Sequence, residues 1–531
     1  MEDETFALIV GGGAVGLSAA IELGWRGVPA ILVNERRDTT QHPKCNNTNA
    51  RSMEHFRRLG IARELRAEGL PADVPRASAY VTRFCGSEFG RAPRPHSDWP
   101  TPELPNTVSQ ITLERVLKRC AERQHKAQIR FGSKLHSFTI HDSGVVAEVT
   151  DADGGQHQIN ARYLLGIDGA SSTVRRALGF PMVGDDGSTE RAFMGGTMLS
   201  WYIRSPTLMA RSGRPPTQMT WIINPDMRGM MYAQDGRETW VVHYQVPKGA
   251  DWERIDARAT IASLLGSDAP FELISGGPWT GGLALVAEHY QSGPVFLAGD
   301  AAHLYTPLGG LGMNAGIGDV MNLGWKLAAV HQGWAGPKLI ESYETERRPI
   351  GVRNSLLGVQ CTKVMDGWTV PKNFEASGPK AQAAREAFGA RVIAEDRPQY
   401  LTVGIQLGER YEGSPIVWSD GTPAPPDSWD SYTPLDRPGA RVPHFWIEPG
   451  RAAFDDFGPG FTLIDFGAAD GARALTEAAR TRGVPLKLLR VKPPDGLYRS
   501  KLVLARPDQH IAWHGDTVPD ALAIIDRVRG A

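Results

Sequence analysis

The stretch from Phe6 to Glu35 limits the possible folds most severely. Phe6 to Val10 is a short apolar run, Gly11, Gly13 and Gly16 follow in a GxGxxG spacing, and Leu17 to Trp25 reads as helix. The first glycine makes a tight turn, the second lets the backbone approach a pyrophosphate, and the third lets helix pack on strand. Ala14 and Val15 complete the GGGAVG turn. A second apolar run, Ala30 to Val33, ends in Asn34 and Glu35, and Glu35 stands where a carboxylate accepts from ribose hydroxyls. Strand, glycine turn, helix, second strand and terminal acid, in that order, predict an α/β dinucleotide-binding unit. A glycine-rich turn used only for packing is the alternative, and neither NAD nor FAD is singled out.

A second stretch, Val295 to Asn314, narrows that choice. VFLAGDAAHLYTPLGGLGMN reads as a buried strand ending at Gly299-Asp300, followed by Gly309, Gly310 and Gly312 opening a helix that runs through Trp325 and Leu327. A strand end offering a carboxylate, next to a helix start offering backbone N–H groups, suits a ligand with both hydroxyls and an electron-rich ring edge. A flavin has both.

Composition excludes several classes. Lys plus Arg total 58 against 59 for Asp plus Glu, which gives no support for nucleic-acid or membrane-surface binding. The four cysteines, at 45, 85, 120 and 361, make no CxxC pair and no metal-ligand spacing, so reduced thiols, no metal site and a cytoplasmic setting are expected. The opening MEDET is acidic where a secretory signal would be basic, and no run approaches the roughly 20 apolar residues of a membrane helix.

Between the two glycine stretches, the spacing of Met53, Phe56 and Leu59 predicts a helix capped by Asn49 or Ser52. Lys44 and Arg51, before and at its start, could meet a pyrophosphate or could be solvated surface charges. Residues 71 to 105 are rich in Pro, Gly and Ser and read as an excursion with one strand in PRASAYVTRF; Leu113, Val116, Leu117 and Cys120 then mark one helix face. Short strands from Ile129 to Thr150 suggest antiparallel sheet. Asp168-Gly169 ends another apolar strand, where DG alone is ordinary turn chemistry. Alternating segments from Met194 to Val246 predict a second, sheet-based domain carrying Trp221, Met230, Tyr232, Trp240, His243 and Tyr244. Most of these are expected in core, with Trp221, Tyr232 and His243 the candidates for a substrate cavity.

The order of these motifs resembles the class A flavoprotein monooxygenases, in particular the three-domain, phenol-hydroxylase-like aromatic hydroxylases. The resemblance is carried by GGGAVG at 11 to 16 with Glu35-Arg36, Gln110 with Leu113-Glu114, DGASSTVR at 168 to 175, and GDAAH at 299 to 303 followed by TPLGGLGMN. NLGWKLAAVHQG at 322 to 333 and SYETERRPI at 342 to 350 extend it. It implies that Gly11, Gly13 and Gly16 take the FAD pyrophosphate, Glu35 the adenosine ribose, and Arg36 the neighbourhood of the adenine. It also implies Gln110 near the ribityl chain, Asp300 accepting from a ribityl hydroxyl, and Leu311, Gly312, Met313 and Asn314 presenting N–H groups to the flavin N1 and O2 edge. Asp168 is a further contact associated with FAD and pyridine nucleotide together, His303 is structural rather than a base, and Pro307 would position substrate through its carbonyl. Lys44, where arginine is common, keeps the charge without the bidentate fork, while Leu304, Tyr305 and Thr306 depart from the pattern beside the reactive edge.

The implied fold is α/β: an FAD-binding Rossmann-type (GR2-like) domain, an α+β sheet substrate domain, and a thioredoxin-like C-terminal domain. The divisions expected are 1–75, 100–180 and 285–350 for FAD, 76–99 and 181–284 for the sheet domain, 351–400 for a helical extension, and 401–531 for a proline-rich linker and the last domain. No cysteine lies beyond 361, so thiol chemistry there is excluded and packing, or a homodimer contact, is the better reading. The implied activity is hydroxylation of a small phenolic or related aromatic substrate with O2 and NADH or NADPH, through a flavin C4a-hydroperoxide. Baeyer-Villiger or other oxygenation of a polyketide-like substrate, and a non-hydroxylating flavin protein that sequesters an intermediate, are the rivals. No WxWxIP-type halogenase segment is present.

Overall fold

Ala7 to Val10 are buried on both sides, as a central parallel strand requires. In the computed structural model, which describes residues 2–94, 98–184, 198–247, 249–279 and 283–531, the Glu2–Val10 strand pairs in parallel with Ala30–Asn34 on one side and Gln156–Gly166 on the other. Ala127–Phe131 and Val295–Leu297 extend the sheet in parallel on its two sides, with the short Gln291–Ser292 strand antiparallel beyond the latter, so strands nearly three hundred residues apart in the chain share one layer. Lys134–His141 and Gly144–Thr150 form an antiparallel hairpin that leans on the long Gln156–Gly166 strand. The Ala14–Trp25 helix packs between Gln110–Glu122 and Gly312–His331, with Leu17, Ile21 and Leu23 buried.

The second sheet has seven strands, in the order Glu272–Trp279, Met198–Arg204, Thr239–Gln245, Arg228–Ala233, Met219–Ile223, Ala77–Val81 and Glu88–Pro93. The start of the segment expected from Met194 lies outside the described residues, as do 95–97 of the excursion and 185–197, 248 and 280–282 of the sheet domain. Side chains alternate across a strand with period two, and this separates the aromatic candidates. Trp240 and Tyr244 join Trp201, Ile222 and Val242 on the face covered by the Ala257–Leu265 helix. Met219, Trp221, Met230, Tyr232 and His243 point the other way, and Tyr232 lies opposite Val241 as Met230 lies opposite His243.

The helix expected after 351 begins earlier. Pro337–Asp366 is one helix through Pro349, so the division expected at residue 350 falls inside it, and Pro379–Asp396 follows. No helix among the described residues is long and apolar enough to cross a membrane.

The last sheet runs Leu486–Arg490, Phe461–Asp465, Leu502–Ala505, Ile511–Gly515, with the first pair parallel and the rest antiparallel. Helices Ala469–Thr481 and Ala521–Val528 complete a thioredoxin-like arrangement. Its core is continuous with the far end of the Gly312–His331 helix: Trp325, Ala329 and Trp334 pack with Phe461, Leu475 and Ile525. Beside that apolar contact lies a buried charge cluster. Glu346 accepts from both Arg506 Nη atoms (2.6 and 2.8 Å), from Lys326 Nζ (2.7 Å), from Asn322 Nδ2 (2.7 Å) and from Ser414 Oγ (2.6 Å). Arg506 also pairs with Asp508 at 2.7 Å.

Candidate active site

Between the first two sheets lies a cavity of about 570 Å³, and both glycine stretches open onto it. The glycines divide by role. Gly11 adopts φ +116°, and a Cβ there would fall 2.2 Å from the Ile167 carbonyl oxygen; one on Gly16 would fall 1.9 Å from the Gly11 oxygen. Those two serve the turn and the helix packing. A Cβ on Gly13 would meet nothing nearer than Glu114 Oε1 at 3.8 Å, and one on Gly312 nothing nearer than Asp300 Oδ1 at 3.9 Å. These two keep space empty on the cavity wall, alongside Ala14 and Val15.

Glu35 and Arg36 sit at one end of the cavity, with Lys134 Nζ 3.8 Å from the Glu35 carboxylate. Lys44 also lines it. Gln110 holds this wall in place: its Oε1 accepts from the Lys44 N–H at 2.9 Å and its Nε2 donates to Glu114 Oε1 at 2.8 Å. Asp168 lines the cavity, but both its oxygens cap the Thr173–Ala177 helix, accepting from Ser172 Oγ and from the Thr173 and Val174 N–H groups. Turn chemistry therefore accounts for much of that carboxylate.

Asp300 leaves the Gly299–Ala301 turn facing the cavity. Its accessible area is turned to the cavity, and the surrounding protein raises its carboxyl above the usual range against the pull of His303 and Lys44. The Gly312–His331 helix starts beside it. An α-helix leaves its first N–H groups without helical partners, and here Ala315 N is the one that reaches back to the Leu311 carbonyl. Leu311, Gly312 and Met313 line the cavity, as do Leu304, Tyr305, Thr306 and Pro307. The Asn314 side chain turns away and ties this helix start to the next element, accepting from Asn49 N and Ser52 Oγ and donating to the Asn47 and Gly310 carbonyls. His303 is buried, its Nε2–H donates to Asp319 Oδ2 at 2.7 Å, and its ring stacks on Tyr305; it is an anchor behind the wall.

Two expectations need correction. Arg51 does not reach the cavity: its guanidinium binds Glu54, the Gln509 amide oxygen and the Asp508 carbonyl, because its helix is gripped by the last domain. Trp221 faces the right way but is covered by Tyr400, to whose hydroxyl its Nε1 donates at 2.7 Å. Tyr232 and His243 do line the cavity. Burial lowers the His243 imidazole to about 3, so it is neutral and packs as a ring against Trp279, 4.5 Å between centroids, and Tyr232. Burial likewise raises the Tyr232 phenol to about 12.

Several lining residues escape a sequence reading: Trp279, Tyr400, Gln399, Thr402, Arg76 and Arg94. Tyr400 comes from the stretch expected to be a helical extension, and the arginines from the proline-rich excursion. Only the cross-strand pairing of Ala77–Val81 with Met219–Ile223 brings that excursion to the wall.

The donor set fits a flavin dinucleotide: two vacant glycine positions, an acid at the second strand end, a carboxylate facing the cavity, and a helix N-terminus beside it. Fold and site define a flavoprotein. Residues 4–355 match the FAD binding domain family, and residues 436–530 match the aromatic-ring hydroxylase C-terminal family. The chain is 32% identical to the FAD-dependent monooxygenase apdD of Emericella nidulans over 96% of this chain and 87% of that one. It is 31% identical to 2,4-dichlorophenol 6-monooxygenase of Delftia acidovorans, over 96% and 94%. Among solved structures it is similar to RebC, soaked with chromopyrrolic acid and with 7-carboxy-K252c bound, at 34% identity and TM-score 0.92 over the whole of both chains. The chain belongs to the class A flavoprotein monooxygenases, and its cofactor is FAD.

Proposed function

We propose that this protein uses NAD(P)H and O2 to hydroxylate a phenolic or related planar aromatic compound. The observation that carries the reading is a single cavity running from Gly13 and Glu35 to an aromatic wall of Tyr232, His243 and Trp279. In this reading Gly11, Gly13 and Gly16 shape the pyrophosphate seat, Glu35 accepts from the adenosine ribose, Arg36 borders the adenine, and Lys44 adds positive charge. Asp300 accepts from a ribityl hydroxyl. The N–H groups of Leu311 to Asn314 face the edge of the ring system that becomes electron-rich on reduction. When bound, FAD accepts two electrons from NAD(P)H and activates O2 for transfer of one oxygen atom.

The chain's own part is to bind, orient and exclude water. Pro307, with Leu304 to Thr306, borders the place where substrate and cofactor meet, and its carbonyl orients a phenolic hydroxyl. The neutral His243 packs against the substrate ring and moves no proton. Residues 1–75, 100–180 and 285–350 make up most of the cofactor unit and 76–99 and 181–284 the substrate unit; the helical extension of 351–400, whose first helix starts back at Pro337, and the linker after it add Tyr400 and Thr402 to the wall, and the last domain packs behind them. A cytoplasmic homodimer completes the proposal.

The test is direct. The purified protein should be yellow with FAD, and a panel of phenols should stimulate NADH or NADPH oxidation with one atom from ¹⁸O2 appearing in product by mass spectrometry. A colourless protein that takes up no FAD, or a flavin-loaded one that gives no oxygenated product with any phenol, would sink it.

A further inference from the structure

The substrate half of the cavity holds two cations that no carboxylate contacts directly among the described residues, although the Asp396 carboxyl behind Tyr400 feels the Arg94 charge. Arg76 precedes the Ala77–Val81 strand and Arg94 follows Glu88–Pro93. The Arg94 N–H donates to the Arg76 carbonyl at 2.9 Å, so the two stand opposite each other across an antiparallel pair, and both line the cavity. Like charges directly opposite on a sheet repel. Burial, with Arg66 and Arg94 nearby, lowers the Arg76 guanidinium to about 10.

Among the described residues neither arginine has an ion-pair partner. Arg76 donates to the Pro105 carbonyl. Arg94 donates to Ser78 Oγ at 3.3 and 2.8 Å, and its guanidinium lies 4.1 Å from the centroid of the Tyr400 ring. Neighbouring Arg66, outside the cavity lining, is by contrast paired with Glu103 at 2.6 Å. The four lining acids, Glu35, Glu114, Asp168 and Asp300, belong to the cofactor side, Glu114 beside Gly13 and Asp300 beside Gly312. Asp396, behind Tyr400, already accepts from the Tyr80 and Tyr400 hydroxyls and the Gln399 amide.

We infer that Arg76 and Arg94 form a carboxylate-reading subsite, so that the aromatic substrate carries an acid group. This rests on the hydroxylase reading above. A planar guanidinium presents paired N–H donors that match a carboxylate, and Tyr400 holds the Arg94 plane at the edge of the aromatic wall. The same donors would suit a phosphate of NAD(P)H. The substrate carboxylate is favoured because both arginines belong to the sheet that carries Tyr232 and His243, not to the dinucleotide sheet.

The test uses the FAD-loaded protein and two matched probes, 1-hydroxy-2-naphthoate and 1-naphthol, titrated by the change in flavin absorbance. The carboxylate should bind at least about tenfold tighter. Arg76→Met and Arg94→Met should each erase that preference while flavin content, 1-naphthol affinity and the KM for NADH hold; Arg94→Lys should keep part of it. Equal binding of the two probes by the unaltered protein, no binding of the carboxylate, or a preference surviving in both methionine variants overturns the inference. A raised KM for NADH with the preference intact also overturns it, in favour of the phosphate. An enzyme that holds FAD and oxygenates phenols but shows no carboxylate preference refutes this subsite alone, whereas failure to hold FAD refutes the broader reading.

Discussion

Replacing Glu346 by Gln probes the buried cluster between the cofactor unit and the last domain. Arg506 and Lys326, with Asn322 and Ser414, direct their hydrogen bonds at this carboxylate and hold its pKa down to about 2, from an ordinary 4.5, despite full burial. At 1.36 kcal/mol per tenfold change, that is about 3 kcal/mol of stability. It is present above pH 4.5 and lost as pH falls through 4.5 toward 2, because the folded state then resists a proton that the unfolded state takes. Lys326 shows the opposite sign: burial lowers its ammonium to about 8 from 10.5, a cost of similar size that is fully felt below pH 8 and relieved as pH rises to 10.5. The pair thus roughly breaks even, while removal of one member leaves the other buried without its counter-charge. Glu346→Gln should destabilise by about 3 kcal/mol at pH 7, read as faster hydrogen exchange and proteolysis across 436–531, with the deficit shrinking below pH 4.5. Glu346→Gln with Lys326→Met, which leaves the Arg506–Asp508 pair intact, should recover at least half. If the double variant loses the sum of the two single effects, the break-even reasoning is wrong.

Gly13→Val should fill the vacant space without touching the turn, so folded protein is obtained with FAD affinity reduced about tenfold or more, measured by flavin fluorescence. Gly16→Ala, whose Cβ would lie 1.9 Å from the Gly11 oxygen, should instead lower thermal stability with or without FAD. Asp396 is held up to about 6 by burial, against 3.8 ordinarily, so its ionisation costs folding stability as pH rises from about 4 to 6. Asp396→Asn should therefore gain on the unaltered protein across that window by up to about 3 kcal/mol in urea melts, and a difference that stays flat with pH would refute the assignment.

That Gly13, Glu35, Asp300 and Gly312 would share one cavity was legible because their signals are local: a glycine turn between strand and helix for Gly13, a strand end for Glu35, and a strand end and a helix start for Asp300 and Gly312. The substrate half was not, because period-two alternation says that a strand has two faces but not which face meets the cavity. Tyr232 and His243 emerged on the right side, while Trp221, on that same face, is hidden by Tyr400 from a distant segment. Arg51 shows the opposite failure. A cation ahead of a helix reads equally as a phosphate ligand or as an anchor, and only the return of the chain at Asp508 and Gln509 decides it.

That grip on Arg51 ties one wall of the cofactor cavity to the last domain. The Arg51 helix begins directly after the strip from Pro43 to Asn47 that walls the cavity, and two of its holding partners, Gln509 and Asp508, stand 458 and 457 residues further along the chain. A loss of order in the last sheet is therefore felt at the cavity wall, a few sequence positions and one guanidinium away.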